Sequence, residues 1–137
     1  MSPDNVSLNK AAIIERCIRR MKEEYAADTS LSSITHLDAL ILNIERACQA
    51  AIDLAMHIVS VEHLGMPQSS AESFSLLHQA DKLDRILASR LSNMTGFRNI
   101  AIHQYQDIEP AVIHHIMKEG WRDFVALCTA LNLKIKP

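Results

Sequence analysis

Apolar residues recur along most of this chain at steps of three and four, the period of a helix with one buried face. Ile14, Cys17, Ile18, Met21 and Tyr25 make the first such stripe and predict a helix over about 7–27, ended by the polar run DTSLSS. Leu37, Ile41, Ile44, Cys48, Ala51, Ala55 and Val59 make a second stripe, widened by Leu40, Ala47, Leu54 and Ile58. That pattern predicts a helix over roughly 35–63, about 43 Å long at 1.5 Å per residue, which would be the spine of a core.

The segment HLGMPQSSAES breaks the period. Ser70 or a neighbouring serine is placed to cap a short third helix that starts near Glu72 or Ser73 and carries Phe74 and Leu77. Asp81 is the candidate cap of a fourth helix over about 82–105, with Leu83, Leu87, Leu91, Met94, Phe97 and Ala101 on one side. Gly96 inside it costs about 1 kcal/mol relative to Ala, so something should require it. Pro110 suits the first turn of a fifth helix reaching about residue 133. Its core face is Ile113, Ile116, Met117, Phe124, Leu127, Cys128 and Leu131. No stretch alternates with period two for a useful length, and no repeat or low-complexity tract interrupts the pattern. The expectation is an all-α fold, a four-helix bundle with an additional short helix. Residues 1–137 would form one domain, with flexible residues at 1–6 and 135–137.

Composition sharpens the outline. A hydrophobic share of 48% with only 3 Gly and 4 Pro excludes a disordered or fibrous chain, and 137 residues suit one core. The formal net charge of -2 excludes a polybasic nucleic-acid coat, so a polyanionic partner would have to meet a local cluster of donors. Cys17, Cys48 and Cys128 are odd in number, widely spaced and set among apolar residues. They read as reduced thiols of a cytoplasmic protein rather than a disulfide framework. The opening MSPDNVSLNK lacks the apolar stretch of a secretory signal, and no apolar run approaches a membrane span, so no membrane partner is expected.

The densest polar constellation is GFRNIAIHQYQD, with Gly96, Arg98, Asn99, His103, Gln104 and Tyr105. Arg98 and Tyr105 lie about 20° apart around an ideal helix, but His103 lies about 140° from Arg98. Convergence of Arg98 and His103 needs a bend near Gly96, an unwound end near Tyr105, or the same segment from a second subunit. The two residue types suit a phosphodiester. A guanidinium donates paired hydrogen bonds to non-bridging oxygens, and an imidazole can take a proton from a ribose 2′-hydroxyl or give one to the leaving 5′-oxygen. The plainer alternative pairs Arg98 with Asp107 or Glu109 and leaves His103 and Tyr105 in a polar seam. Asn99 is placed either to orient His103 from one turn earlier or to cap a neighbouring backbone group.

Other residues offer less. His114 and His115 point about 100° apart, His57 and His63 are poorly aligned, and no His or carboxylate spacing matches a bundle metal site. His36 and His78 fit a capping turn and a helix end. Asp53, amid Ala and Ile, would orient a His or Arg only if its face joined a cleft. Arg85, Arg90 and Arg98, extended by Lys82, either track RNA or solvate a helix face. Trp121 alone makes no base-stacking platform.

At Gly96, Arg98, Asn99, His103 and Tyr105 the sequence resembles the HEPN superfamily, specifically the HepT-like toxins of HepT–MntA toxin–antitoxin pairs, whose signature is Arg-x4-His-x-Tyr, often inside G-x-R-N-x-x-x-H. The resemblance extends over the ILNIERACQAAID run and the LGMPQSSAESFSLL segment, and so takes in most of the chain. It implies an all-α HEPN bundle and a symmetric homodimer that brings two motif segments to one cleft. The implied activity is a metal-independent endoribonuclease needing no cofactor, with Arg98 holding phosphate, His103 transferring protons and Asn99 keeping the site in shape. Attack by a 2′-hydroxyl would leave a 2′,3′-cyclic phosphate and a 5′-hydroxyl. The resemblance also implies a cognate MntA-like nucleotidyltransferase antitoxin that uses ATP to adenylylate Tyr105. The rival readings are a noncatalytic nucleotide-binding or adapter subunit of a minimal nucleotidyltransferase complex, and a bundle whose polar motif only sets dimer register. Between mRNA and tRNA the sequence does not choose.

Overall fold

The structure is a computed structural model that describes residues 2–103 and 107–137. The first four helices each begin where a short polar side chain takes up an amide that the first turn leaves free. Asp4 accepts from the Ser7 amide at 2.8 Å and opens α1 (Asn5–Ala27). Ser33 accepts from His36 and opens α2 (Ile34–Val61), while Ser69 accepts from Glu72 at 3.2 Å and opens α3 (Ser70–Gln79). The cap of α3 is therefore the neighbour of Ser70. For α4 (Arg85–His103) the sequence expectation fails: Asp84, not Asp81, accepts from the Leu87 amide at 2.7 Å. Asp81 instead takes a left-handed conformation (φ 60°) just after α3, with its amide bonded to the His78 carbonyl. Aspartate tolerates either task, and here the turn that ends α3 claims it.

The long fifth helix is also divided. Pro110 stands in the first turn of α5 (Pro110–His115), a π-helical turn follows at Ile116–Gly120, and α6 (Trp121–Ala130) completes the run. The wider turn puts Ile116, Met117 and Gly120 on the buried side together. A β-carbon on Gly120 would lie 3.5 Å from the Met94 methyl, so α4 passes close over this turn.

α1 and α2 pack along much of their length, α3 and α4 pack on α2 and on each other, and α6 closes against α1, α2 and α4. The shared core holds Ile14, Ile18 and Met21 from α1, Ile44, Cys48 and Leu54 from α2, Phe74 and Leu77 from α3, Leu91 from α4, and Phe124 and Leu127 from α6. Tyr25, at the edge of the first stripe, is half-buried because its hydroxyl reaches His114 Nδ1 at 2.7 Å. Trp121 is flanked by two cations, with Lys22 Nζ 3.9 Å and the Arg122 guanidinium carbon 5.0 Å from its ring centre. Polar contacts also reach both ends of the described chain: Asp4 with His57 at 2.6 Å, the Lys136 amide with Glu15 at 2.6 Å, and Arg19 with the Lys136 carbonyl at 3.0 Å. Among the described residues there is no strand, and no helix is long and apolar enough to cross a membrane.

Candidate functional site

α4 carries the polar motif out of the core. Leu91 and Phe97 bury one side of the helix, which turns Asn99 and His103 to solvent and leaves Arg98 half-buried at the boundary. Helical structure continues through Gly96 to His103, so the five-residue separation of Arg98 and His103 still corresponds to about 140° around the helix. Gly96 does not break the helix, and a β-carbon there would meet nothing within 4 Å among the described residues. The structure thus brings Arg98 and Asn99 together and leaves His103 on a different face. Gln104 and Tyr105 lie outside the described residues.

Arg98 leans towards α2. Its positive charge opposes the desolvation that pushes the buried Cys48 thiol well above its ordinary range. Among the described residues its Nε is buried without a hydrogen-bond partner, and Nη1 has only the Asn99 side-chain oxygen, at a long 3.5 Å. Neither Asp107 nor Glu109 forms an ion pair with it among the described residues. A guanidinium has five N–H donors, and a buried one left unmade is costly, so this group is set to accept an anion with several oxygens.

The remaining candidates have other partners. Asp53 accepts from Gln49 at 2.8 Å and lies 3.5 Å from Lys10, so it orients neither Arg98 nor His103. His36 meets Glu24, His57 meets Asp4, His78 meets the Leu83 carbonyl and His114 meets Tyr25. Among the described residues no group of three or more His, Cys, Asp or Glu is placed to hold a metal ion. Lys82 pairs with Glu62 at 2.8 Å, which takes it out of a free basic strip, while Arg90 stands 3.8 Å from Asp123 with most of its side chain exposed. Burial pushes the thiols of Cys17 and Cys128 up as well, the latter to about 12, which disqualifies them as nucleophiles. One feature escaped the sequence reading: a cleft of about 290 Å³ beside the motif, walled by α4 and the π-helical turn, where Asp123 faces Arg90 and Phe97. The spacing of Gly120 beside the apolar stripe was its only trace in the sequence.

An all-helical bundle that presents Arg-Asn-x3-His on one of its long helices is a HEPN-type domain. The chain belongs to the ribonuclease HepT-like family, whose profile matches residues 13–131. It is 38% identical over 122 residues to the mRNA nuclease HepT of Shewanella oneidensis, covering 88% of this chain and 92% of that protein. It is 31% identical over 100 residues to the tRNA nuclease HepT of Aphanizomenon flos-aquae, covering 72% and 68% respectively. Among solved structures it resembles the tri-AMPylated Shewanella oneidensis HEPN toxin in complex with MNT antitoxin, at 37% identity and a TM-score of 0.89 over 95% of this chain and 98% of that one. A toxin–antitoxin crystal structure with AMP-PNP gives the same identity and TM-score over 94% and 98%.

Proposed function

We propose that the protein is a metal-independent endoribonuclease toxin whose site forms where the α4 segments of two copies meet. The observation that carries this reading is the Arg98 guanidinium, held at the α2–α4 boundary with a buried N–H that none of the described residues uses, inside a complete Gly96, Arg98, Asn99, His103, Tyr105 sequence pattern. A symmetric homodimer supplies from the second copy the His103 that one helix turns away. Its support is the bare backbone at Gly96, on one stripe with exposed Asn99 and His103, together with Ile100 and Ile102, which are 40% and 45% exposed.

In such a cleft Arg98 binds the non-bridging oxygens of one RNA linkage and offsets the charge that gathers on them as the bond order changes. One His103 removes the 2′-hydroxyl proton, and O2′ attacks phosphorus. The bond to O5′ breaks as the other His103 protonates that oxygen, leaving a 2′,3′-cyclic phosphate and a 5′-hydroxyl. Asn99, beside Arg98, holds the guanidinium in place. No metal or cofactor enters these steps. Both mRNA and tRNA offer the required hydroxyl, and the nucleases of Shewanella oneidensis and Aphanizomenon flos-aquae are described for one each.

Control falls to a cognate MntA-like nucleotidyltransferase antitoxin in the cytoplasm: the Tyr105 oxygen gives up its proton and attacks the α-phosphorus of ATP, and pyrophosphate leaves as the AMP ester forms. An anionic AMP on the Arg98 stripe occupies by charge and bulk the place of the RNA phosphate. Coexpression with an active antitoxin should raise the intact mass by about 329 Da per group. The deciding experiment sets unmodified protein against Arg98→Ala and His103→Ala on labelled RNA in excess EDTA. Wild type should leave cyclic-phosphate ends, and each variant should lose at least about a hundredfold in rate while remaining a folded dimer. Normal cutting by His103→Ala refutes the chemistry. Absence of cutting by the wild type as well leaves the noncatalytic nucleotide-binding or adapter role.

A further inference from the structure

The cleft between α4 and the π-helical turn lies next to the motif and shares with it only Phe97, the residue between Gly96 and Arg98. Arg90, Asn93, Met94 and Phe97 line it from α4, and Gly120 and Asp123 from the opposite wall. Arg90 stands eight residues before Arg98, about 12 Å along the same helix and about 80° around it. The volume of about 290 Å³ falls at the small end of ligand sites, the size for one planar ring system rather than a whole nucleotide.

Its walls have a definite chemical character. Met94 and Phe97 supply an apolar side, and the missing side chain at Gly120 keeps the opposite wall open. The Asp123 carboxylate accepts no hydrogen bond among the described residues; its nearest cation, Arg90 Nη1, stays 3.8 Å away. Only 16% of the Asp123 side chain is exposed, and desolvation holds its carboxyl above the ordinary range, so the charged form gains from any donor brought to it. Arg90 is 65% exposed on a long stem and can reach over the mouth.

Two parallel carboxylate oxygens ask for two parallel donors. Of the RNA bases, guanine alone puts two N–H donors, N1–H and the 2-amino group, side by side on its pairing edge. Its O6 and N7 acceptors suit a guanidinium, as in major-groove readout. Adenine and cytosine offer one such donor, and uracil offers one imide N–H between carbonyls. We propose that this cleft is a guanine-binding subsite, seating an unstacked base of the RNA strand a short way from the linkage held at Arg98. Asp123 receives the pairing edge, Arg90 donates to O6 and N7, and Met94 and Phe97 pack against the ring. The RNA source of the base rests on the ribonuclease reading above; recognition of guanine does not.

Two measurements separate these parts. In the first, GMP, IMP and AMP are titrated into His103→Ala protein, so binding is read without turnover. GMP should bind about tenfold or more tighter than IMP, which lacks the 2-amino group, and tighter than AMP. Asp123→Asn, nearly isosteric, should erase that preference, and Arg90→Ala, a change at an exposed side chain, should weaken GMP without unfolding the protein. Equal binding of the three nucleotides overturns the proposal. In the second, wild type and Asp123→Asn cut a randomised RNA and the ends are sequenced. Enrichment of guanine at a fixed offset from the cut, lost in Asp123→Asn, supports an RNA base as occupant. Cutting without such enrichment, while GMP still binds selectively, overturns the RNA assignment in favour of a free guanine nucleotide. Selective GMP binding by a wild type that cuts no RNA refutes the ribonuclease reading and keeps the guanine site.

Discussion

Gly96 sits exposed within a helix, where glycine is about 1 kcal/mol worse than alanine, and none of the described residues touches the place a side chain would fill. The position therefore has two opposite readings with opposite outcomes. For a lone chain, Gly96→Ala should stabilise the fold by about 1 kcal/mol, seen as a higher urea midpoint. For a pair of chains meeting at this stripe, the added methyl should loosen self-association, seen in sedimentation as a weaker dimer and in cleavage as a proportional loss of rate. Raised stability with unchanged association would remove Gly96 from the interface. At this scale the sequence was informative about Arg98, whose described hydrogen-bond partner Asn99 is the next residue, and silent about Asp123. The partner of Asp123 in the cleft stands on another helix, and no spacing rule joins them.

Among the elements, the helices were legible because a buried face writes its period into the chain, and every residue of the second stripe except Leu37 and Ile58 is fully buried. Starts and breaks were less so. Capping depends on one side chain and one turn, and Asp81 and Asp84 are chemically identical candidates separated only by the conformation that α3 needs to end. The π-helical turn left almost no mark, since Ile113, Ile116, Met117 and Phe124 fit an unbroken α-helix equally well. The cap of α1 makes a prediction in acid. The Ser7 amide and then His57 hold the Asp4 carboxyl down to about 2 from an ordinary 3.8. A depressed carboxylate contributes stability in full above its ordinary value and loses it as pH falls towards about 2. Asp4→Ala should therefore unfold at lower urea than wild type at pH 7, and the gap should close as both are titrated towards pH 2. A constant gap would mean that the helix end is held by something other than this charge.

For the whole molecule, the core decides what the surface chemistry cannot use. Cys17, Cys48 and Cys128 are all buried free thiols. In the native protein none should react with a disulfide reagent at pH 8 on a timescale of minutes, and all three should react once urea unfolds it. A raised thiol pKa also stabilises the fold fully below the ordinary 9.0 and loses that contribution as pH climbs from there towards about 12 for Cys128. Rapid native labelling of any one would show that the core opens locally there. On the proposed ribonuclease reading, the net charge of -2 would leave RNA contact to a few donors, so a modest salt dependence is expected of any cleavage.

Trp121 is the chain's one indole, and it adjoins Gly120, the floor of the cleft, while two cations crowd its ring. Nature has thereby installed a fluorophore at the boundary of the pocket. Emission from the unlabelled protein, excited where its two tyrosines absorb little, offers an optical readout of occupancy there.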